Sequence, residues 1–249
     1  MPKIGEFDTD HDALVKRVDT HTKYGNVELN DWLFDKLDIQ NNNNILDIGC
    51  GFGKQTIPLI EKGCSVTAID ASAPAIDSLM ERVKSPKLNS IVCEFDNIDF
   101  LPNDHFDKVI SSYAFYYSID RENLLTKIEN SMRTNASIFI CGPSRQNNLE
   151  IKKFLRDIGV EFGEGSAPFM DDIAPSLFEK KFGNVETTIL ENKLVFPSAE
   201  EVWNYWSSHN MFNKSIENKF QEALFGHFKS NQTFVLTKII KGIFSIKTK

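Results

Sequence analysis

Short apolar runs alternate along the middle of the chain with segments whose apolar positions follow helical spacing. Five strands are predicted by the runs at 45–48, 66–69, 91–95, 108–112 and 136–141. Three helices are predicted between them, at 54–62, 72–84 and 121–133, with Ser72 placed to cap the second helix. Strands that alternate with helices in this way favour a mostly parallel sheet covered by helices on both faces, which is an α/β fold.

The two ends of the chain follow a less regular pattern. Residues 1–25 are polar and show little periodicity, whereas 28–37 carries apolar residues at helical spacing. Beyond residue 143 the pattern predicts a helix, a loop rich in Gly, Pro and Asp, a strand, an aromatic helical stretch and a β-prone run, at 149–159, 159–175, 185–190, 199–228 and 233–246. Asp171 and Asp172 are interpreted as part of a solvated loop, and no metal site is expected, because no histidine or further carboxylate is spaced to complete one.

Composition narrows the classes of partner. The chain has 249 residues, of which 41% are hydrophobic, and a formal net charge of −7. A protein that binds phosphate backbones usually carries a basic stripe, and none is present, so nucleic acid is not expected as a partner. The sequence also lacks a signal-peptide pattern and any apolar run of membrane-spanning length. Its four cysteines lack metal-type spacing, so we expect reduced thiols and a cytoplasmic protein with no membrane partner.

The motif with the most specific chemistry is the loop Ile45-Leu46-Asp47-Ile48-Gly49-Cys50-Gly51-Phe52-Gly53. It lies where the first strand should turn into the first helix. Glycines at such a turn allow a tight backbone path and a close approach to a ligand, because no Cβ intervenes. The helix that follows presents unpaired amides and the positive end of its dipole.

An acidic residue separates this loop from an ordinary dinucleotide-binding turn. Asp47 precedes the first glycine by two positions, and Lys54 occupies the place of the third glycine in the dinucleotide fingerprint. A negative charge here would repel a pyrophosphate but can pair, directly or through water, with the ammonium of an amino-acid moiety. This pattern favours S-adenosylmethionine over NAD.

Further polar residues follow the next two strands. Asp70 ends the second strand, where a carboxylate can accept hydrogen bonds from both ribose hydroxyls. Asp96, after the third strand, is predicted to accept from the adenine amino group, with Asn97 or the adjacent backbone serving the ring nitrogens.

From about Asn41 to Pro143 the sequence resembles the class I, Rossmann-like S-adenosylmethionine-dependent methyltransferases. It has their Asp-x-Gly-x-Gly-x-Gly loop, the acidic residues after strands two and three, and a fourth-strand signature over residues 106–112. The resemblance implies seven strands in the order 3-2-1-4-5-7-6, one of them antiparallel, and a cofactor held by Asp47, Gly49, Gly51, Asp70 and Asp96. Cys50, Gly53, Ala71 and Ser112 are expected to line the same site, and Tyr24 to meet the methionine carboxylate.

The resemblance also implies how the chain is organised. We expect a single domain over residues 1–249, with 1–40 as N-terminal lid helices, 41–145 as the cofactor-binding core and 146–249 as cap helices and last strands. Residues 106–120 and 196–228 are similar to small-molecule enzymes of the ubiquinone/menaquinone and biotin-precursor kind. The loop at 111–114 lacks the Asn-Pro-Pro-Tyr of enzymes that act on nucleic-acid or glutamine amides.

The residues that bind the methyl acceptor are harder to predict. The methyl donor is already electrophilic, so the protein must mainly hold the acceptor in line with it and does not require a catalytic group. Tyr116 and Tyr117 follow the fourth strand and either orient the acceptor or simply pack. His209 lies in an aromatic segment and is either a general base or a histidine satisfied at a helix end.

We expect methyl transfer to an oxygen, nitrogen or carbon of a small molecule, with release of S-adenosylhomocysteine, by a monomer or homodimer. The alternatives are an NAD-dependent oxidoreductase and a non-catalytic protein that retains the fold.

Overall fold

A computed structural model describes residues 11–160, 165–209 and 212–248. Its strands form one seven-stranded sheet, in the order β3-β2-β1-β4-β5-β7-β6. The strands are β1 Asn44–Ile48, β2 Ser65–Asp70, β3 Leu88–Val92, β4 Phe106–Ser112, β5 Met132–Pro143, β6 Glu186–Phe196 and β7 Phe234–Ile246. β1 to β5 pair in parallel, and β7 runs antiparallel to both of its neighbours. The predicted fold class and strand order are confirmed.

Helices lie between the strands and at both ends of the described chain. They are α1 His11–Tyr24, α2 Leu29–Leu37, α3 Thr56–Glu61, α4 Ala73–Arg82, α5 Arg121–Ser131, α6 Leu149–Asp157, α7 Ala174–Phe182, α8 Ala199–Ser207 and α9 Glu217–Ser230. The Ser72 hydroxyl accepts from the Ala75 amide at 3.3 Å, as its capping position predicts. Within the described ranges, no helix is long and apolar enough to cross a bilayer.

Successive residues of the central strands enter different cores, because side chains alternate across a sheet. Leu46 and Val109 pack with Phe178 on one face, whereas Ile45 and Ile110 pack on the other. A third core joins α6, α8 and α9 to the adjoining ends of β6 and β7. This arrangement brings the C-terminal segment beside the carboxyl ends of the parallel strands.

Several predicted boundaries were wrong. The third strand lies at Leu88–Val92 rather than 91–95, because the chain turns into a short 3₁₀ segment at Phe95–Asn97. The aromatic stretch 199–228 is two helices, separated by a turn that the Asn213 side chain caps.

Two segments without a predicted element are helical. His11–Tyr24 forms α1, which packs against α8 and β6. The residues before α7 form a π-helical turn, Phe169–Ile173. The interpretation of Asp171 and Asp172 as a solvated loop was therefore wrong. Asp171 accepts from the Arg145 amide at 2.8 Å, and the Arg145 guanidinium pairs with Asp172.

Candidate functional site

The glycine loop depends on close packing as well as on backbone freedom. Gly49, Gly51 and Gly53 have φ angles of 74°, 53° and 84°, which side chains disfavour. A Cβ on Gly49 would lie 2.1 Å from the Ala114 Cβ, and one on Gly53 would lie 2.5 Å from Leu79, whereas Gly51 faces open space. The loop therefore leaves one side of Gly51 free for a ligand.

Asp47 has an unused acceptor inside the protein. The residue is 1% exposed; one carboxylate oxygen accepts from the Thr56 hydroxyl at 2.6 Å, and the other is buried without a partner. Burial raises its pKa to about 7, against the Thr56 hydrogen bond, and the Asp70 charge adds to the rise. An unpartnered buried carboxylate oxygen is costly, so the site fits a cationic group such as the ammonium of an amino-acid tail.

Asp70 connects the glycine loop to the second strand. One carboxylate oxygen accepts from the Gly51 amide at 2.8 Å, and the other accepts from the Ser72 amide at 2.9 Å. Ala71, between Asp70 and Ser72 in the sequence, is partly exposed. Cys50 is buried, with a thiol whose pKa is raised well above its usual value, first by burial and then by Asp47 and Asp70. The structure thus brings Asp47, Cys50, Gly51 and Asp70 together.

The carboxylate of Asp96 already serves the protein itself. It accepts from the Ser118 hydroxyl at 2.6 Å, from the Ile119 amide at 3.0 Å and from the Asp120 amide at 3.4 Å. Burial opposes its ionisation, but these hydrogen bonds prevail and lower its pKa. Glu94, two residues earlier, is exposed, and no hydrogen bond reaches its carboxylate within the described chain. Asn97 is exposed beside it. Glu94 is thus a candidate for the adenine contact that the sequence analysis missed.

Two alanine variants distinguish the structural role of Asp96 from the proposed cofactor contact of Glu94. Asp96→Ala removes the contacts that hold residues 118–120, so we expect the free energy of unfolding to fall by about 1–3 kcal/mol. Glu94→Ala removes an exposed group, so we expect unchanged stability and about tenfold weaker binding of S-adenosylhomocysteine. Chemical denaturation and calorimetry measure the two quantities. The adenine contact of Asp96 stays a prediction, which weaker cofactor binding by Asp96→Ala at unchanged stability would support.

The loop after β4 supplies an unpredicted candidate. Tyr113 has a left-handed φ of 59°, and its buried hydroxyl has no hydrogen-bond partner. Burial raises its pKa well above the usual value, so the phenol is a neutral donor. Its strained backbone was not visible as a sequence pattern. Ser112, next to it, is partly exposed and lies 3.4 Å from the Cys141 thiol.

Tyr116 and Tyr117 pack against each other with ring centroids 4.8 Å apart. Tyr116 is buried in the core that includes Phe169, and its carbonyl accepts from Arg121 at 2.9 Å. Packing accounts for both rings, and their catalytic role stays a prediction.

The aromatic residues at the two ends of the described chain meet in the third core. Tyr24 lies against Phe196 with ring centroids 5.2 Å apart, so its predicted contact with the methionine carboxylate stays a prediction. His209 stacks on Trp206 at 4.8 Å. Burial, followed by the charges of Lys238, Arg17, His21 and Lys152, lowers its pKa well below 6.5. A neutral imidazole can accept a proton, and the role of His209 as a general base stays a prediction.

Comparison with known proteins identifies the class. A family described as "Methyltransferase domain" matches residues 45–135. A protein named probable ribosomal RNA small subunit methyltransferase A, from Methanosphaera stadtmanae, is 33% identical over 86 residues, which are 34% of this chain and 32% of that protein. The chain spans about a third to a half of the length of the curated relatives that it matches.

Two solved structures share the fold. A protein of an antibiotic biosynthesis pathway from Anabaena variabilis is 17% identical, with a TM-score of 0.65 over 86% of this chain and 95% of that chain. A phosphoethanolamine N-methyltransferase from Haemonchus contortus, in complex with phosphomonomethylethanolamine and S-adenosylhomocysteine, is 15% identical, with a TM-score of 0.53 over 87% of this chain and 51% of that chain.

Residues 45–135 match a methyltransferase domain, and the strand order and the glycine-loop geometry agree with the class I, S-adenosylmethionine-dependent fold. The predicted resemblance to S-adenosylmethionine-dependent methyltransferases and the predicted cofactor are confirmed.

Proposed function

We propose that the protein transfers a methyl group from S-adenosylmethionine to an oxygen, nitrogen or carbon atom of a small molecule. The observation that carries the proposal is the buried, unpartnered oxygen of Asp47 beside the open side of Gly51. The cofactor supplies an electrophilic methyl group when bound. The chain's own task is then to bind, to orient and to exclude water.

Each part of the proposed site has a role that follows from its position. Asp47 pairs with the ammonium of the amino-acid tail, while Gly49 and Gly51 let the backbone approach it. Asp70 keeps the loop in place through the Gly51 and Ser72 amides, and the second lone pair of each carboxylate oxygen accepts from a ribose hydroxyl. Glu94 accepts from the adenine amino group. Tyr113, at the carboxyl edge of β4, donates its hydroxyl to the acceptor.

A small acceptor is supported by the charge of −7 and by the aromatic residues of the third core, which lie at the carboxyl edge of the sheet. The Haemonchus contortus enzyme, which acts on a small phosphorylated amine, has the same fold. The ribosomal RNA methyltransferase of Methanosphaera stadtmanae makes RNA the alternative acceptor to test. We also place the protein in the cytoplasm, since all four cysteines are free thiols.

The test uses methyl-labelled S-adenosylmethionine with a cell extract separated into small molecules, RNA and protein. We expect label in the small-molecule fraction with the wild-type protein and none with Gly49→Ala. Label confined to RNA or protein would contradict the small-molecule proposal while leaving the cofactor assignment intact.

A further inference from the structure

A group of basic side chains lies beside the third core, around the buried Lys238. We call Arg17, His21, Lys152, His209 and Lys238 the Lys238 cluster. Lys238, on β7, is 4% exposed and donates to the Tyr205 hydroxyl at 3.2 Å. A ring nitrogen of His21 lies 3.2 Å from the same oxygen. Two elements that are far apart in sequence, α1 and β7, therefore meet through the hydroxyl of Tyr205 on α8.

The charges that act on Lys238 all have its own sign. Its pKa is lowered to about 7 by burial, and the cations of Arg17 and Lys152 add to the shift. His21 likewise has a pKa well below 6.5, lowered by burial and then by Lys238, Lys54 and Arg17. Within residues 11–160, 165–209 and 212–248, no ion pair joins Lys238 to a carboxylate. A buried lysine is normally paired, so this arrangement favours an anion that arrives from outside.

Strand register places Lys238 at the ligand-binding edge of the sheet. Pro143, the last residue of β5, pairs with Ile240 of β7, so Lys238 lies two residues beyond the carboxyl end of β5. That edge also carries the glycine loop after β1 and Tyr113 after β4. β7 is three strand spacings from β1, or about 14 Å. Lys238 is thus displaced from the cofactor loop toward the acceptor side.

Aromatic rings lie beside Lys238 and His21. Tyr205 lies 5.6 Å from Phe196 and 5.8 Å from His21, measured between ring centroids. The Tyr113 hydroxyl, at the carboxyl end of β4, is likewise buried without a hydrogen-bond partner. Tyr113, just after β4, and Lys238, on β7, therefore lie at the same edge of the sheet, on strands that are two positions apart, and aromatic residues and positive charge are combined there.

We propose, on the basis of the proposed function, that the methyl acceptor carries a carboxylate or another small oxyanion that binds the Lys238 cluster. Lys238 and His21 then donate to the anion, Tyr205 positions both of them, and the aromatic walls contact the rest of the acceptor. The end of the acceptor that lies near Tyr113 then carries the atom to be methylated, and this atom faces the cofactor. Charge-assisted hydrogen bonds in such surroundings are strong, so the anion should dominate the affinity for the acceptor.

The experiment uses the full-length protein saturated with S-adenosylhomocysteine and titrates it with acetate, benzoate and inorganic phosphate, with benzyl alcohol as the neutral counterpart of benzoate. We expect at least one of the three anions to bind, and benzyl alcohol to bind at least tenfold more weakly than benzoate. Binding at pH 8 should take up a proton onto Lys238, which calorimetry in two buffers of different ionisation enthalpy detects.

Lys238→Met should weaken binding of the anion at least tenfold and abolish the proton uptake, with unchanged affinity for S-adenosylhomocysteine. Removal of an unpaired buried charge should not unfold the protein. Lys241→Met is the matched control, because Lys241 is on the same strand but lies 3.6 Å from the Asp171 carboxylate. This variant should keep both anion binding and proton uptake.

The inference would be overturned if none of the three anions binds, if benzyl alcohol binds as tightly as benzoate, or if Lys238→Met leaves anion binding intact. It would also be overturned if Lys238→Met weakens binding of S-adenosylhomocysteine instead, because the cluster would then hold the cofactor's carboxylate. Failure of the wild-type protein to bind S-adenosylhomocysteine would refute the proposed function itself.

Discussion

Gly49→Ala is expected to abolish S-adenosylhomocysteine binding and methyl transfer, with losses of at least about 100-fold, and to destabilise the fold by about 3 kcal/mol. The new methyl group would lie 2.1 Å from the Ala114 Cβ, so either the glycine loop or the loop after β4 must move. Both loops border the proposed site. Calorimetry and chemical denaturation measure the two losses.

Gly183→Ala provides the matched control. Gly183 also has a left-handed φ, 68°, but a Cβ there meets nothing within 4 Å, and the residue ends α7. We expect this variant to lose about 1 kcal/mol of stability from backbone strain alone and to bind S-adenosylhomocysteine normally. Equal effects of the two variants on cofactor binding would contradict the close approach of the loops as the cause.

Asp47→Asn is expected to weaken S-adenosylhomocysteine binding about 100-fold, because it removes a buried charge that pairs with the ligand's ammonium. The substitution nearly preserves shape, so the glycine loop should stay in place. Asp77→Asn, an exposed position on α4, is the control and should change nothing.

The same residue predicts a pH dependence with a definite sign. The pKa of Asp47 is raised from 3.8 to about 7 in the folded protein, so the folded state binds this proton more tightly than the unfolded state. The stability of the ligand-free protein should therefore fall, through this group, as the pH rises from about 4 to about 7. Asp47→Asn should remove that part of the slope in denaturation curves recorded across this range.

Ligand binding should lower the pKa of Asp47 again. An ammonium beside Asp47 favours the ionised carboxylate, so at pH 6 binding of S-adenosylhomocysteine should release close to one proton, about the full occupancy of this group. Proton uptake on binding, or pH-dependent stability that Asp47→Asn leaves unchanged, would show that this carboxylate stays protonated or faces another group.

The central part of the fold was predictable because its signals are local. Apolar runs mark β1, β2, β4 and β5, and the glycine loop marks the first crossover. The end of β3 was misplaced, because Phe95 continues an apolar pattern although the backbone has already turned. The helix α1 has a polar sequence and is held by its contacts with α8 and β6, which no local pattern reveals.

The cofactor side of the site was similarly easier to predict than the acceptor side. Asp47 and the glycines are close in sequence, and their spacing has a chemical meaning. Lys238, His21 and Tyr205 lie on three elements from both ends of the chain, and only the antiparallel register of β7 brings the lysine to the others. Asp96 was predicted from its place after β3, and its adenine contact stays a prediction; its additional hydrogen bonds to residues 118–120 are long-range contacts that no local pattern reveals.

Calorimetric titration of the wild-type protein with S-adenosylhomocysteine and, separately, with NADH tests the central claim that Asp47 and the glycine loop select a cationic amino-acid tail over a diphosphate. We predict one tightly bound S-adenosylhomocysteine per chain and no measurable binding of NADH. Tight binding of NADH with no response to S-adenosylhomocysteine would contradict the claim.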